Sequence, residues 1–181
     1  TLGVVYIVRD PRKIIKSYSN HSQISLQQAL KRLKEIRTLG GKNDLTSNTF
    51  IHAGSWSSNY NTWKEFKKVD RYLLVKYEDL ITDSELTFLK ILKFIHNIKK
   101  VKFTVDQTKL KNVIKTTSFE NMQNLEKEKG FIEGKVDKKT GKKIPFFNLG
   151  SKNDWRQLLD SKIKKKLEVA FEKEMKELGY L

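Results

Sequence analysis

A continuous apolar run near the start of the chain, Leu2 to Val8 (LGVVYIV), constrains the fold more than any other feature. A run of β-branched and large apolar residues is typical of a strand that is buried on both faces of a parallel sheet. Asp10 and Pro11 follow at once and predict a helix start, because Asp caps helix N-termini and Pro fits the first helical position. The run and the helix together indicate a strand–helix unit of the α/β class.

Further patterns along the chain extend this unit. A second buried strand is predicted at Tyr72–Val75 (YLLV). The segment from Gly130 to Lys143 is rich in Gly and Lys and is predicted to be a mobile loop. Apolar spacing predicts a helix over Ser25–Arg37, ended by Gly40-Gly41, and another from Trp56 through Tyr60 to Trp63. Two capping boxes predict the next two helices: one begins at Thr82–Glu85 and turns Leu89, Leu92 and Ile95 inward, and the other begins at Thr117–Glu120 and runs to about Glu126. A last helix is predicted from about Ser161 to Leu178, and its buried face carries Ile163, Leu167, Phe171 and Leu178.

Strands separated by long helical stretches predict a parallel sheet flanked by helices, in one domain that spans residues 1–181. The chain has no cysteine, which excludes disulfides, zinc–thiolate sites and cysteine nucleophiles. No stretch approaches the roughly 20 apolar residues of a membrane span, and no signal-peptide pattern is visible, so we expect a cytoplasmic protein.

The net charge of +16 favours phosphorylated or polyanionic partners. The excess is almost all Lys and is spread along the whole chain, so a general compositional bias explains it equally well. Net charge alone therefore does not decide the function.

Arg9 follows the first predicted strand and directly precedes a helix start. Ligands of open α/β sheets bind outside the carboxyl ends of strands, where helix N-termini attract anions. The Arg9 guanidinium can bind two phosphate oxygens at once, and Ser17 adds a hydroxyl donor. Alternatively, Arg9 pairs with Asp10, Glu78 or Asp79 and holds strand ends together. The segment alone leaves both readings open.

The segment Tyr6–Tyr18 (YIVRDPRKIIKSY) resembles the 3′-phosphate-binding motif of the PAPS-dependent sulfotransferases: an apolar strand, Arg-Asn/Asp-Pro, and a Ser eight residues after the Arg. Arg9 and Ser17 match that spacing. Further segments resemble the family's motifs in the family's order: Gly54-Ser-Trp56, Tyr77-Glu-Asp-Leu80, Thr117-Ser-Phe119 with Met122, and Asn148-Leu-Gly150 followed by Asp154-Trp155.

The resemblance implies a P-loop-NTPase-like α/β fold and sulfuryl transfer from 3′-phosphoadenosine 5′-phosphosulfate (PAPS) to a hydroxyl or amine acceptor. The product nucleotide would be adenosine 3′,5′-bisphosphate (PAP), and no metal is required. The resemblance assigns Arg9 and Ser17 to the 3′-phosphate and Tyr77 to the adenine, with Glu78 and Asp79 fixing the turn. It also assigns two further groups to the donor: Thr117, Ser118, Phe119 and Met122 beside the adenine, and Asn148, Leu149 and Gly150 in the phosphate loop.

The chain departs from the family pattern in its phosphate loop and in what would precede Leu2. Asn148 and Leu149 stand where the family has Arg and Lys, and Asn153 stands where it has Gly. Each lost charged hydrogen bond costs about 1.5–3 kcal/mol. The family's phosphosulfate loop with its Lys and its general-base His would precede Leu2, and His21, His52 and His96 do not match the base position. We therefore expect the C-terminal part of a sulfotransferase, with a sheet that is incomplete at the N-terminus, no assignable catalytic residue and no activity alone.

Two other functions stay open at this point. One is a P-loop kinase-like domain that uses a nucleoside triphosphate, and the other is a basic nucleic-acid-binding module, although we expect no nucleic-acid partner. The acceptor remains unknown and could be a carbohydrate, a lipid, a phenol or a peptide. Segments 25–37 and 130–147 are the expected acceptor walls, because loops on a rigid scaffold usually set specificity.

Overall fold

The structure, a computed structural model, describes residues 1–39, 51–137 and 140–181. Two short 3-10 helices, Glu65–Val69 and Gly150–Lys152, accompany its main elements. In chain order these elements are β1 (Val4–Val8), α1 (Pro11–Ser22), α2 (Leu26–Lys34), β2 (Arg37–Leu39), β3 (Ile51–Ala53), α3 (Trp56–Lys64), β4 (Tyr72–Lys76), α4 (Tyr77–Thr82), α5 (Ser84–Lys99), α6 (Gln107–Thr116), α7 (Phe119–Lys129), β5 (Lys135–Val136), β6 (Lys143–Ile144), α8 (Trp155–Leu158), α9 (Ser161–Ala170) and α10 (Glu172–Glu177).

The chain divides into two compact units, each built from two separate stretches of sequence. The first unit comprises residues 1–9 and 64–153, and the second comprises residues 10–63 and 154–181. No helix in the described part of the chain is long and apolar enough to cross a membrane.

The first unit contains the two predicted strands, and they pair in parallel. Val4 lies opposite Tyr72 and Val8 lies opposite Lys76. Val8 and Val75 are buried, with exposed fractions of 2% and 4%. The prediction that β1 is buried on both faces is wrong at Ile7, which is 53% exposed, because the sheet face that carries Val5 and Ile7 is incompletely covered by the described residues. Within the described residues β1 pairs only with β4, and the sheet is two strands wide.

The helices of the first unit correct one predicted cap. Helix α5 is capped by Asp83, whose carboxylate accepts from the Leu86 amide, and not by a box that starts at Thr82. Thr82 instead ends α4, where its hydroxyl donates to the carbonyl of Glu78. Ile95, which was predicted to face inward, is 39% exposed.

The segment predicted as a loop, residues 130–143, contains Lys135–Val136, which pair with Lys143–Ile144 as a small antiparallel hairpin in the first unit. Lys135 lies opposite Ile144, and Val136 lies opposite Lys143. The Asp137 amide donates to the Lys142 carbonyl at 2.8 Å and closes the hairpin. Each strand has two residues, which are too few for an alternating pattern to be visible in the sequence.

In the second unit, α1 and α2 begin where the sequence predicts. Asp10 caps α1, and Ser25 caps α2 in a reciprocal capping box with Gln28. Helix α2 ends at Lys34 and not at Arg37, because Arg37 begins β2 and lies opposite Ala53 of β3. The predicted stop at Gly40-Gly41 lies outside the described residues.

The predicted C-terminal helix of the second unit is two helices, α9 and α10. They meet at Phe171, whose backbone (φ −123°, ψ 20°) departs from helical values. The predicted apolar face is nevertheless buried, since Phe171 is 2% exposed and Leu167 is fully buried. The core of this unit contains Ile15, Ala29, Leu30, Ile163, Leu167, Phe171 and Met175.

Candidate functional site

Arg9 and Tyr77 lie at the carboxyl ends of the two paired strands. Because β1 and β4 are parallel and Val8 lies opposite Lys76, the residues that follow them are neighbours. The guanidinium carbon of Arg9 is 4.2 Å from the centroid of the Tyr77 ring. A cation over an aromatic face is attracted by about 0.5–2 kcal/mol, so each residue fixes the other at the sheet end.

Arg9 keeps hydrogen-bonding capacity at this position. Its Nε atom is buried and has no hydrogen-bond partner among the described residues. Asp10, one of the carboxylates considered as its partner, binds Arg12 instead. A buried donor without a partner costs about 1–3 kcal/mol, and an anionic ligand that accepts from it removes this cost.

Tyr77 is the first residue of α4, and Glu78 and Asp79 follow in its first turn. Glu78 and Asp79 therefore stand at the junction between β4 and α4, and their role in fixing this turn stays a prediction. Acidic residues in the first turn of a helix interact favourably with its dipole. The Asp79 carbonyl also accepts from the Thr87 hydroxyl at 3.2 Å, which ties α4 to α5.

The segment assigned to the adenine lies at the junction of α6 and α7. Ser118 caps α7, since its hydroxyl accepts from the Asn121 amide at 3.3 Å. The Thr117 hydroxyl donates to the Val113 carbonyl at 2.7 Å and belongs to the end of α6, so the predicted capping box with Thr117 as its cap is wrong. Phe119 and Met122, three residues apart, share one face of α7, and both are partly buried.

The segment assigned to the phosphate loop, residues 148–150, contacts helix α7 as well. Gly150 has a left-handed backbone with φ of +52°, and a Cβ on it would lie 2.5 Å from the Phe119 ring. Asn148 is exposed and Leu149 is half-buried. The structure therefore brings the 148–150 segment and the α7 segment together within the first unit, as it does Arg9 and Tyr77.

Ser17 lies on α1 in the second unit and is exposed. The N-terminal end of α1 is held by Arg12, a residue that belongs to none of the predicted sites. The Arg12 guanidinium forms salt bridges with Asp10 at 2.8 Å and with Glu168 at 2.7 Å. It also donates to the carbonyl of Tyr180 at 2.7 Å.

Arg12 is buried with these partners, at an exposed fraction of 6%. Burial by itself lowers the pKa of Arg12, but the hydrogen bonds and charges of Asp10 and Glu168 outweigh this effect and raise it. The guanidinium carbon is also 4.1 Å from the centroid of the Trp155 ring. In the sequence, the only sign of this network is a second Arg beside the helix cap, because Glu168 and Tyr180 are far away along the chain.

His96 contacts its own helix and a neighbouring aromatic ring. Its Nδ1 lies 2.8 Å from the Leu92 carbonyl, and its ring meets Phe103 edge-on at 5.4 Å. Across residues 1–39, 51–137 and 140–181, no group of three or more His, Asp or Glu side chains is arranged to hold a metal ion.

The known proteins that this chain resembles are sulfotransferases. The sulfotransferase domain model matches residues 2–179 of the chain. Sulfotransferase 2A6 of Rattus norvegicus is 26% identical over 161 residues, which cover 84% of this chain and 49% of that protein. Human sulfotransferase 1E1 is 28% identical over 124 residues, which cover 68% of this chain and 40% of that protein. The chain thus spans about half the length, or less, of these relatives.

A solved structure gives the same fold. The crystal structure of mouse sulfotransferase SULT7A1 complexed with PAP matches with a TM-score of 0.62 at 18% sequence identity. The match covers 96% of this chain and 58% of that chain. It confirms the predicted α/β fold with a parallel sheet and flanking helices. Because the family model matches residues 2–179 of the 181, the chain belongs to the sulfotransferase domain family.

Proposed function

We propose that this chain supplies the nucleotide side of the PAPS site in a sulfotransferase that transfers a sulfuryl group to a hydroxyl or amine acceptor. The observation that carries the proposal is the position of Arg9. The guanidinium lies at the carboxyl end of β1, is stacked on Tyr77, and keeps a buried Nε without a hydrogen-bond partner among the described residues. The crystallised mouse relative of the same fold is a complex with PAP.

In this proposal Arg9 binds the 3′-phosphate of the donor as a charged fork, and Tyr77 meets the adenine. Ser17 is assigned to the same phosphate by the family motif, and the proposal for this residue rests on that motif. Phe119 and Met122 flank the adenine from α7, together with Thr117 and Ser118. Asn148, Leu149 and Gly150 form the phosphate loop without the Arg and Lys of the family pattern.

The chemistry follows from where these groups act. During transfer, a new bond forms between the acceptor oxygen or nitrogen and the sulfur, while the bond from sulfur to the phosphate oxygen breaks. The acceptor proton passes to a base, and PAP leaves. Binding energy at the nucleotide end holds the sulfuryl group in register with the acceptor, so these residues contribute by positioning and not by touching the reacting atoms. We also propose that the chain alone transfers no sulfuryl group, because none of its residues has been assigned as the base.

The test compares nucleotides in a thermal unfolding experiment. PAP should raise the melting temperature of the chain, and adenosine 5′-phosphate should raise it much less, because only PAP carries the 3′-phosphate. Equal stabilisation by both nucleotides would contradict the proposal. Stronger stabilisation by ATP would indicate a kinase-like site. Salt-sensitive binding of arbitrary oligonucleotides without any nucleotide response would indicate a nucleic-acid-binding module.

A further inference from the structure

Two side chains on one face of helix α7, those of Gln123 and Glu126, bind the backbone of Phe146 and Phe147, which directly precede the proposed phosphate loop. The Glu126 carboxylate accepts from two consecutive backbone amides, those of Phe146 at 2.6 Å and Phe147 at 2.9 Å. The Gln123 side-chain amide donates to the Phe147 carbonyl at 2.8 Å. Residues three apart on a helix are neighbours on its surface, so Gln123 and Glu126 together hold both polar groups of the Phe147 backbone.

The same helix contacts the other end of the loop. Phe119, the first residue of α7, faces Gly150 so closely that a Cβ there would lie 2.5 Å from its ring. Between these contacts, the Phe119 and Phe147 rings meet edge-on with centroids 6.1 Å apart. The loop is therefore attached to α7 on both sides of Asn148 and Leu149.

We propose that Glu126 and Gln123 are positioning residues for the donor nucleotide. They fix the 146–150 loop against α7, which also carries the residues assigned to the adenine, so the spacing between the adenine and 3′-phosphate subsites is set by one helix. This inference rests on the proposed function. It also explains how the loop keeps a defined position without the Arg and Lys of the family pattern, because its backbone is held from the helix.

The carboxylate suits this task for a physical reason. An ionised carboxylate that accepts from backbone amides forms hydrogen bonds about twice as strong as those between neutral groups. Its two oxygens can satisfy two successive amides at once, whereas a glutamine at this position offers one acceptor oxygen and two donors. Glu126→Gln should therefore keep part of the attachment, and Glu126→Ala should lose it.

The experiment measures the contribution of the 3′-phosphate to affinity, which is the ratio of the dissociation constants for adenosine 5′-phosphate and PAP. Glu126→Ala should reduce this ratio about tenfold, or by ~1.4 kcal/mol, while affinity for adenosine 5′-phosphate stays within about twofold. Glu126→Gln should fall between this variant and the wild type. Glu128→Ala, an exposed acidic position on the same helix, is the matched control and should leave the ratio unchanged.

An equal loss of affinity for both nucleotides, or an unchanged ratio, would overturn the inference, because a merely structural role does not act on the 3′-phosphate selectively. If Glu126→Ala does not fold, Gln123→Met removes one hydrogen bond only and should reduce the ratio by a smaller factor, about threefold. A wild-type chain that does not prefer PAP would instead contradict the proposed function, so the two failures are distinguishable.

Discussion

The guanidinium carbon of Arg9 lies 4.2 Å from the centre of the Tyr77 ring, and the two residues directly follow the two strands of a parallel pair. The aromatic face holds the cation in place without using its hydrogen-bond donors. An arginine held in this way is prepared to bind an anion, since its orientation is set before the ligand arrives.

Replacing Arg9 tests this arrangement. Arg9→Ala should weaken PAP binding about 10- to 100-fold, because one charge-assisted contact of about 1.5–3 kcal/mol is lost. Arg9→Lys should fall between this variant and the wild type, since an ammonium keeps the charge and loses the planar fork. Isothermal titration with PAP measures both variants. Arg71→Ala, an exposed arginine of the same unit, is the control, and an equal effect of Arg9→Ala and Arg71→Ala would contradict the assignment.

If the proposed function holds, adding a charge to the proposed phosphate loop, residues 148–150, should strengthen donor binding. Asn148 is exposed and stands where the family pattern has a basic residue. Asn148→Arg should raise PAP affinity about tenfold, with little effect on adenosine 5′-phosphate, because the gain arises at the 3′-phosphate. Asn124→Arg adds the same charge at an exposed position of α7 and controls for general attraction. Equal gains from the two variants would mean that only net charge matters.

Gly150 should tolerate a side chain less well than another glycine with a positive φ. Gly150→Ala introduces a left-handed backbone cost of about 1–2 kcal/mol and a clash with the Phe119 ring that adds about 1–3 kcal/mol. Gly141 has a φ of +68° and no heavy atom of a described residue within 4 Å of its Cβ position, so Gly141→Ala carries the backbone cost alone. Urea unfolding compares the two variants, and an equal loss of stability would rule out a close Phe119–Gly150 contact.

Arg12 should be among the most costly residues to replace. Arg12→Met leaves the carboxylates of Asp10 and Glu168 without their buried partner, and breaking a buried pair in this way costs about 3–5 kcal/mol. The matched control is Lys176→Met, which removes an exposed ion pair with Glu172 and should change the unfolding midpoint little. A loss for Arg12→Met as small as that of the control would contradict the role of the network.

Tyr6 predicts a loss of stability at alkaline pH. Burial raises the pKa of Tyr6 to about 12, from 10.0 for an exposed tyrosine. Below pH 10 both folded and unfolded chains keep the proton, so the contribution to stability is complete. As the pH rises toward 12 the unfolded chain releases the proton first, and stability falls. Tyr6→Phe should remove this part of the decline in urea unfolding curves, and parallel wild-type and variant curves would contradict the shift.

Local signals predicted much of this fold. The apolar run of β1 and the caps at Asp10 and Ser25 lie within a few residues of the elements that they define, and the structure has those elements. The cap of α7 is Ser118 and not the predicted Thr117, one residue earlier, because adjacent Thr and Ser can both cap a helix. The break at Phe171 has no such signal, since neither Pro nor Gly lies there.

The candidate site divides in the same way. Arg9 and Tyr77 were predictable neighbours, because each follows a predicted strand and parallel strands end at the same edge. The contacts of Glu126 with Phe146 and Phe147 join residues 20 and 21 positions apart, and they depend on a loop path that composition does not encode. Two of the partners of Arg12, Glu168 and Tyr180, lie 156 and 168 positions away, beyond any motif spacing.

That last separation has a consequence for how the protein is made. A ribosome releases Arg12 long before it has synthesised Tyr180, whose carbonyl accepts from the guanidinium. During translation the start of α1 therefore carries a cation for which two of the final partners, Glu168 and Tyr180, do not yet exist. The unit built from residues 10–63 and 154–181 can close only after its second stretch has been synthesised, so residues 10–63 are exposed to chaperones while residues 64–153 are being made.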